Sequence, residues 1–183
     1  MINMTSKSNY TRDFLNILHA RKSVRHFTGK AVTREQLEVL LKAGMAAPSG
    51  RNEQPWVFIA ITERTVLDQL ADDLPTAGML HQAGCAVVVC ADISLPIPEG
   101  KVRLWTQDCS AATENILLAA EAMNLGAVWT AVHPYPDRQN PVRKILQLPE
   151  TIVPFSVIPV GYPTGEDQPK NKYDIRKIHW EKW

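Results

Sequence analysis

A central β-sheet with helices on both sides is the fold that this sequence predicts. Two observations carry that reading. The strand-sized runs Trp56–Ile61 and Cys85–Ala91 are apolar at nearly every position, so both of their faces expect cover. Helical patterns outnumber strands, and buried strands with amphipathic helices pack most simply as a sheet between helical layers. The chain has 183 residues, of which 45% are hydrophobic and 21% charged, which suits one globular domain with a sizeable core. Its formal net charge of +1 offers no global field to nucleic acid or an anionic membrane, so any anion site has to be local. Met1–Asn9 is polar and lacks the apolar core of a signal peptide, and the apolar runs are too short to span a bilayer. Cys85, Cys90 and Cys109 form no C-x-x-C pair and no closed disulfide set. They are expected as small buried hydrophobes in a reducing, cytoplasmic setting.

Each element has its own signal. A first helix is expected over Tyr10–Ala20, with Phe14, Ile17 and Leu18 on one side. The basic stretch Arg21–Phe27 follows as a turn into a short extended piece. Thr33-Arg34-Glu35-Gln36 is a capping box, and Leu37, Leu40, Leu41, Gly44 and Met45 then fall at helical spacing until Pro48. Gly44 marks a close backbone approach. A polar connection, Pro48 to Pro55, leads into the strand at Trp56. Thr62 is the expected cap of a helix reaching Leu74, and a short helix or loop over Ala77–Gln82 precedes the strand at Cys85. Ile93–Lys101 reads as a loop.

A long helix is expected over Val102–Asn124. Its stripe of Ala112, Ile116, Ala119, Ala120 and Met123 is widened by Leu117 and Leu118, which makes it central or buried in a partner. Gly126 stops it. Ala127–Val132 reads as a strand, Asn140-Pro141 as a helix start running through Leu146, and Phe155–Val160 as the last strand. From Thr164 the chain is polar and dotted with proline, and two of its five tryptophans fall in the last four positions. Such a tail has little core of its own and is expected to lie on something else, such as a second subunit.

The familiar catalytic motifs are missing: there is no G-x-G-x-x-G, Walker loop, H-E-x-x-H or G-x-S-x-G. The five histidines are scattered singly, without metal-ligand spacing. With no evident nucleophile or metal, the chemistry falls to an organic cofactor. Three polar features remain. The first is the packed donor set of Arg21, Lys22, Ser23 and Arg25. The second is the amide-rich loop 48–54, and the third is the basic tail Lys170–Lys177. A phosphate carried with a planar, hydrogen-bonding ring would use all three, and FMN fits. An RNA- or anion-binding module built on residues 21–30 is the competing reading. The near-zero net charge and the lack of stacking aromatics there, beyond Phe27, argue against it.

These stretches also carry a resemblance. Arg21-Lys-Ser-Val-Arg-His-Phe27 resembles the R-R-S-x-R-x-F opening of the FMN-dependent nitroreductase superfamily. Pro48–Trp56 is similar to its P-S-x-x-N-x-Q-P-W loop, Gly126–Trp129 to its G-x-x-W element, and Val160–Pro163 to its G-Y-P turn. The four occur in the family's order and spacing over nearly the whole chain. The resemblance implies an α+β fold, a three-layer central mixed sheet flanked by helices, in a homodimer with FMN at the subunit interface. Residues 1–183 would form one such domain, with 164–183 packing on the partner subunit. Arg21, Lys22, Ser23 and Arg25 would then meet the phosphate, ribityl chain and pyrimidine edge. Pro48, Ser49, Asn52 and Gln54 would lie along the flavin, Pro48 and Ser49 from the other subunit. Trp129, Thr130 and Ala131 would line the isoalloxazine. Lys172 matches the tail cation for the phosphate, with Lys170, Arg176 and Lys177 as alternatives.

One departure is Lys22, which stands where Arg is commoner and keeps the charge without the fork. For Asn52 and Gln54, hydrogen bonds that fix the loop compete with cofactor contacts. The implied activity is ping-pong transfer of hydride from NADH or NADPH through flavin N5 to an electron-poor acceptor such as a nitroaromatic or quinone. It needs no metal and no covalent catalytic side chain. A flavin-storage protein and a dehalogenating or flavin-degrading relative are the alternatives.

Overall fold

The computed structural model describes residues 13–94, 96 and 102–183. The expected helix start at Tyr10, the polar stretch Met1–Asn9 and much of the loop Ile93–Lys101 lie outside these residues.

The sheet is built on the apolar run the sequence singles out. Strand β2 (Cys85–Asp92) is buried along nearly its whole length. It pairs antiparallel with β1 (Trp56–Ile61) on one side and with β5 (Ile152–Gly161) on the other. The far edge of β5 takes two short strands, β3 (Gly126–Ala127) and β4 (Thr130–Ala131), also antiparallel. The parallel component is the bridge Ser23–Ala127, where the basic stretch joins the sheet.

The alternation of β2 divides the core. Cys85, Val87, Val89 and Ala91 face one cluster with Leu40, Cys109 and Ile116. Ala86, Val88 and Cys90 face another with Leu67, Leu70 and Val142. Helices α2 (Arg34–Met45) and α4 (Trp105–Ala122) therefore cover one face, and α3 (Arg64–Asp73) and α5 (Pro136–Leu146) the other. Each fully buried valine of β2 contributes about 1.5–3 kcal/mol. The layers cover β2 on both faces as its apolar run requires, but not β1, which lies at the sheet edge with Val57 and Ala60 exposed.

The capping box forms as read. The Thr33 hydroxyl accepts the Gln36 amide at 3.3 Å, and Gln36 Oε1 accepts the Thr33 amide at 3.0 Å. Gly44 also packs as expected, since a Cβ there would lie 3.0 Å from Ile116 and 3.1 Å from Phe58.

Other boundaries differ from expectation. The strand expected over Ala127–Val132 is broken at Val128–Trp129. Val128 faces Pro159 in the ladder and gives it an N–H···O bond of 3.3 Å, but proline has no N–H to return. The helix expected from Asn140 starts a turn earlier. Pro136 takes the first helical position, and Pro141 sits inside the helix. Glu63 rather than Thr62 precedes α3, without a side-chain cap. The last strand is longer than Phe155–Val160, because Ile152–Val153 continue the pairing past an irregularity between Val89 and Cys90.

A first helix, α1, occupies residues 13–20. Its Phe14 and Leu18 are exposed in the protomer, at 55% and 39%. The tail beyond Thr164 lies open, with Trp180 and Trp183 the most exposed aromatics. Among the described residues no helix is long and apolar enough to cross a membrane.

Candidate functional site

The basic stretch is held against the edge of the sheet by alternation. Val24 and Phe27 are buried, and the polar residues between them face outward. The Val24 amide donates to Ala127 O at 3.0 Å, and the Thr28 amide to Tyr162 O at 2.9 Å. Gly126 permits this approach, because a Cβ there would lie 2.5 Å from Val24 Cγ1.

Carboxylates then position the polar side chains. Arg21 Nε lies 3.3 Å from Glu114 and Lys22 Nζ 3.2 Å from Glu121, both on α4. From the tail, Asp167 Oδ2 accepts the Arg25 and His26 amides at 2.8 and 3.1 Å, and lies 3.2 Å from His26 Nδ1. Burial pushes the Asp167 carboxyl up, but these donors outweigh it and leave its pKa below the ordinary value.

Two adjoining cavities result. One, of about 520 Å³, is lined by Arg21, Lys22, Ser23, Arg25, Lys170 and Lys172, with the tail segment Glu166–Pro169 as its other wall. Its five cations face two carboxylates, of which Asp167 is already committed to backbone donors. The second, of about 400 Å³, is lined by Trp129, Thr130 and Ala131 with Thr76, Met79 and Arg138. Arg25 lines both. A cationic compartment and a strand-walled compartment thus share Arg25 in their linings. The donor set fits FMN, with cations for a phosphate at one end and a strand edge for a flat ring at the other.

Eight of the twelve predicted site residues line this pair of cavities, and the loop 48–54 is the part that does not join them. Pro48, Ser49, Asn52 and Gln54 line neither cavity. Their loop turns through Gly50–Asn52 and docks on the first turns of α4, where the Gly50 amide donates to Asp108 Oδ1 at 2.8 Å. Lys22 is pinned to Glu121, roughly 20 Å further along the same helix. Within the loop the Gln54 amide donates to Ser49 Oγ at 3.0 Å, and Gln54 Nε2 to Asn52 Oδ1 at 2.8 Å. Arg51, Asn52 and Gln54 have φ of 55°, 58° and 48°. Such left-handed, non-glycine backbone is costly, and persists where surrounding contacts over-determine it.

Sequence reasoning missed Thr76, Met79, Arg138, Glu114, Glu121 and Asp167. None sits in a motif, and only the fold brings them to the basic stretch. Among the described residues no cluster of histidine, cysteine and carboxylate side chains has the makings of a metal site. Cys85, Cys90 and Cys109 are buried, and burial pushes each thiol up to about 12.

The sequence profile of the Nitroreductase family matches residues 18–162, so the chain belongs to that family. A solved structure from Parabacteroides distasonis, provisionally named an NADH dehydrogenase/NAD(P)H nitroreductase, is 50% identical. It superposes with a TM-score of 0.86, over 93% of this chain and 98% of that one. A curated relative of the same provisional name, from Archaeoglobus fulgidus, is 41% identical over 172 residues, 92% of this chain and 98% of the relative. A provisionally named nitroreductase from Desulfovibrio desulfuricans, solved in complex with FMN, is 28% identical. Its TM-score is 0.76, over 93% of this chain and 97% of that one.

Proposed function

We propose that this chain passes electrons from NADH or NADPH to an electron-poor acceptor, a nitroaromatic or a quinone, in a ping-pong sequence. The broader class, an NAD(P)H-dependent flavin oxidoreductase using FMN, follows from its family. When bound, FMN supplies a two-electron carrier with hydride entering and leaving at N5.

The chain's own residues bind, orient and tune. Arg21, Lys22 and Lys172 hold the phosphate, with Lys170 beside them in the same cavity. Ser23 gives a hydroxyl to the ribityl chain. Arg25 stands where phosphate and ring compartments meet, and Trp129, Thr130 and Ala131 flank the ring. Glu114, Glu121 and Asp167 orient these groups without touching the reacting atoms. No side chain is assigned a covalent role. The observation that carries this reading is that Arg25 lines both cavities.

Pro48, Ser49, Asn52 and Gln54 reach such a site from a second copy of the chain, because their own protomer holds them far along α4. This makes the active unit a homodimer. Exposed Phe14 and Leu18 of α1, and Trp180 and Trp183 of the tail, are among the exposed apolar groups that a partner would cover.

The test is an anaerobic spectroscopic titration of the purified chain with FMN, then NADH or NADPH, then a nitroaromatic or quinone. Bleaching by the nicotinamide and return of the flavin spectrum with the acceptor is the expected result. Bound flavin that never bleaches would overturn the activity, and failure to bind FMN would overturn the site. Arg25→Ala should weaken FMN binding by about ten-fold or more, the loss of a charge-assisted contact of about 1.5–3 kcal/mol. Unchanged affinity would remove Arg25 from the site.

A further inference from the structure

We propose that Arg138 is a cofactor-binding residue, a second guanidinium that faces the ring end of the site and favours negative charge there. The inference rests on the FMN reading above. Arg138 lies on α5, outside every motif the sequence offers. It lines the 400 Å³ cavity together with Arg25, Trp129, Thr130 and Ala131.

Two contacts fix the plane of its guanidinium. Nη1 donates to Ala131 O at 3.0 Å, and the guanidinium carbon lies 4.2 Å from the Tyr135 ring centroid. A carbonyl and an aromatic face hold a cation without neutralising it. Nε is buried with no hydrogen-bond partner among the described residues. Among those residues no carboxylate lies within 4.0 Å of Arg138, and none lines its cavity. Arg21 and Lys22 stand in contrast, each with a carboxylate on α4.

A fixed, half-buried cation without a counterion has a use where charge develops during a reaction. It stabilises that charge without having to reorganise, and it acts more strongly away from bulk water. On two-electron reduction an isoalloxazine gathers negative charge at its pyrimidine edge, the edge that protein cations tune. Arg25 and Arg138 line one cavity, and that edge of a ring bound there would lie nearest them. Arg138 therefore raises the electron affinity of the bound ring.

A purely structural role, in which Arg138 only steadies β4 through Ala131 O, makes a different prediction. Losing a positioning contact weakens oxidised and reduced FMN alike and leaves the midpoint potential where it was. Losing a charge weakens the reduced form selectively and moves the potential.

The experiment compares the full chain with Arg138→Gln and Arg138→Lys. Fluorescence quenching gives the affinity for oxidised FMN, and equilibrium reduction against dyes of known potential gives the midpoint. Arg138→Gln is expected to lower the preference for reduced over oxidised FMN about ten-fold, read as a midpoint roughly 30 mV more negative. Its affinity for oxidised FMN should change much less. Arg138→Lys keeps the charge and should recover most of the shift even where it loosens β4. An unchanged midpoint in Arg138→Gln, or equal losses for both forms, overturns the proposal. If the unaltered chain binds no FMN, the functional reading falls with it. If it binds FMN and Arg138→Gln leaves the midpoint in place, only the role of Arg138 falls.

Discussion

Gly126 decides how closely the basic stretch lies against the sheet, and Gly126→Ala tests that arrangement. A Cβ at 126 would meet Val24 Cγ1 at 2.5 Å, Cβ at 2.7 Å and Cγ2 at 2.8 Å. Carbon atoms pack best at about 3.5–4.0 Å, so one segment has to retreat by roughly an ångström. Val24 cannot turn aside. It is fully buried, and both of its branches face Gly126. The retreat stretches the 3.0 Å bond from the Val24 amide to Ala127 O. Overpacking costs about 1–3 kcal/mol, and the weakened hydrogen bond about 1 kcal/mol more. A loss of about 2–4 kcal/mol in a chain of this size lowers the melting temperature by roughly 4–16 °C.

Ser23 and Arg25 flank Val24, so FMN affinity should fall together with stability. The assay is thermal unfolding of the FMN-free chain at fixed protein concentration, paired with fluorescence titration of FMN. Val24→Ala removes two of the three close contacts, so the double variant should lose less than the two single variants combined, with a coupling of about 0.5–3 kcal/mol. A Gly126→Ala chain as stable as the parent, with undiminished FMN affinity, would refute the reasoning. Strictly additive losses would show that the two positions do not touch.

Two further outcomes follow from titratable groups. Asp167 has a lowered pKa in the folded chain, so its contribution is present above the ordinary carboxylate value of about 3.9 and is lost as pH falls through the lowered one. Asp167→Asn should cost about 1 kcal/mol near neutrality and flatten the acid side of the stability curve. Melting temperatures between neutral and strongly acid pH check this, and a difference between the two chains that does not vary with pH would count against it. The cysteines test burial from the other direction, because thiols pushed up to about 12 carry no thiolate at neutral pH. A thiol reagent should therefore label the folded chain slowly at pH 8 and all three cysteines once it is unfolded. Their linkage also lowers stability as pH rises from the ordinary thiol value near 8.5 toward about 12. Rapid labelling of the native chain would refute their burial.

What the sequence determined by itself was whatever rests on local pattern. The two-sided apolar run at Cys85–Ala91 demanded a layer on each face and received both. Thr33 and Gln36 are close enough in sequence to cap one helix end, and they do. The donors Arg21, Lys22, Ser23 and Arg25 lie within five residues of one another, and they line one cavity. The expected strand over Ala127–Val132 failed for a reason no local pattern contains. Its break depends on which residue of β5 it meets, and that residue is Pro159.

The rest of the site is of the same non-local kind. Arg138 comes to Trp129–Ala131 because α5 packs beneath the sheet edge, and Glu114 and Glu121 reach the basic stretch because α4 runs alongside it. Loop 48–54 looked like part of one site with residues 21–25, yet α4 holds the two well apart within a protomer. Residue types and short spacings are written in the chain. Distances between segments are set by packing, and packing decided which cations share a cavity and which keep a counterion.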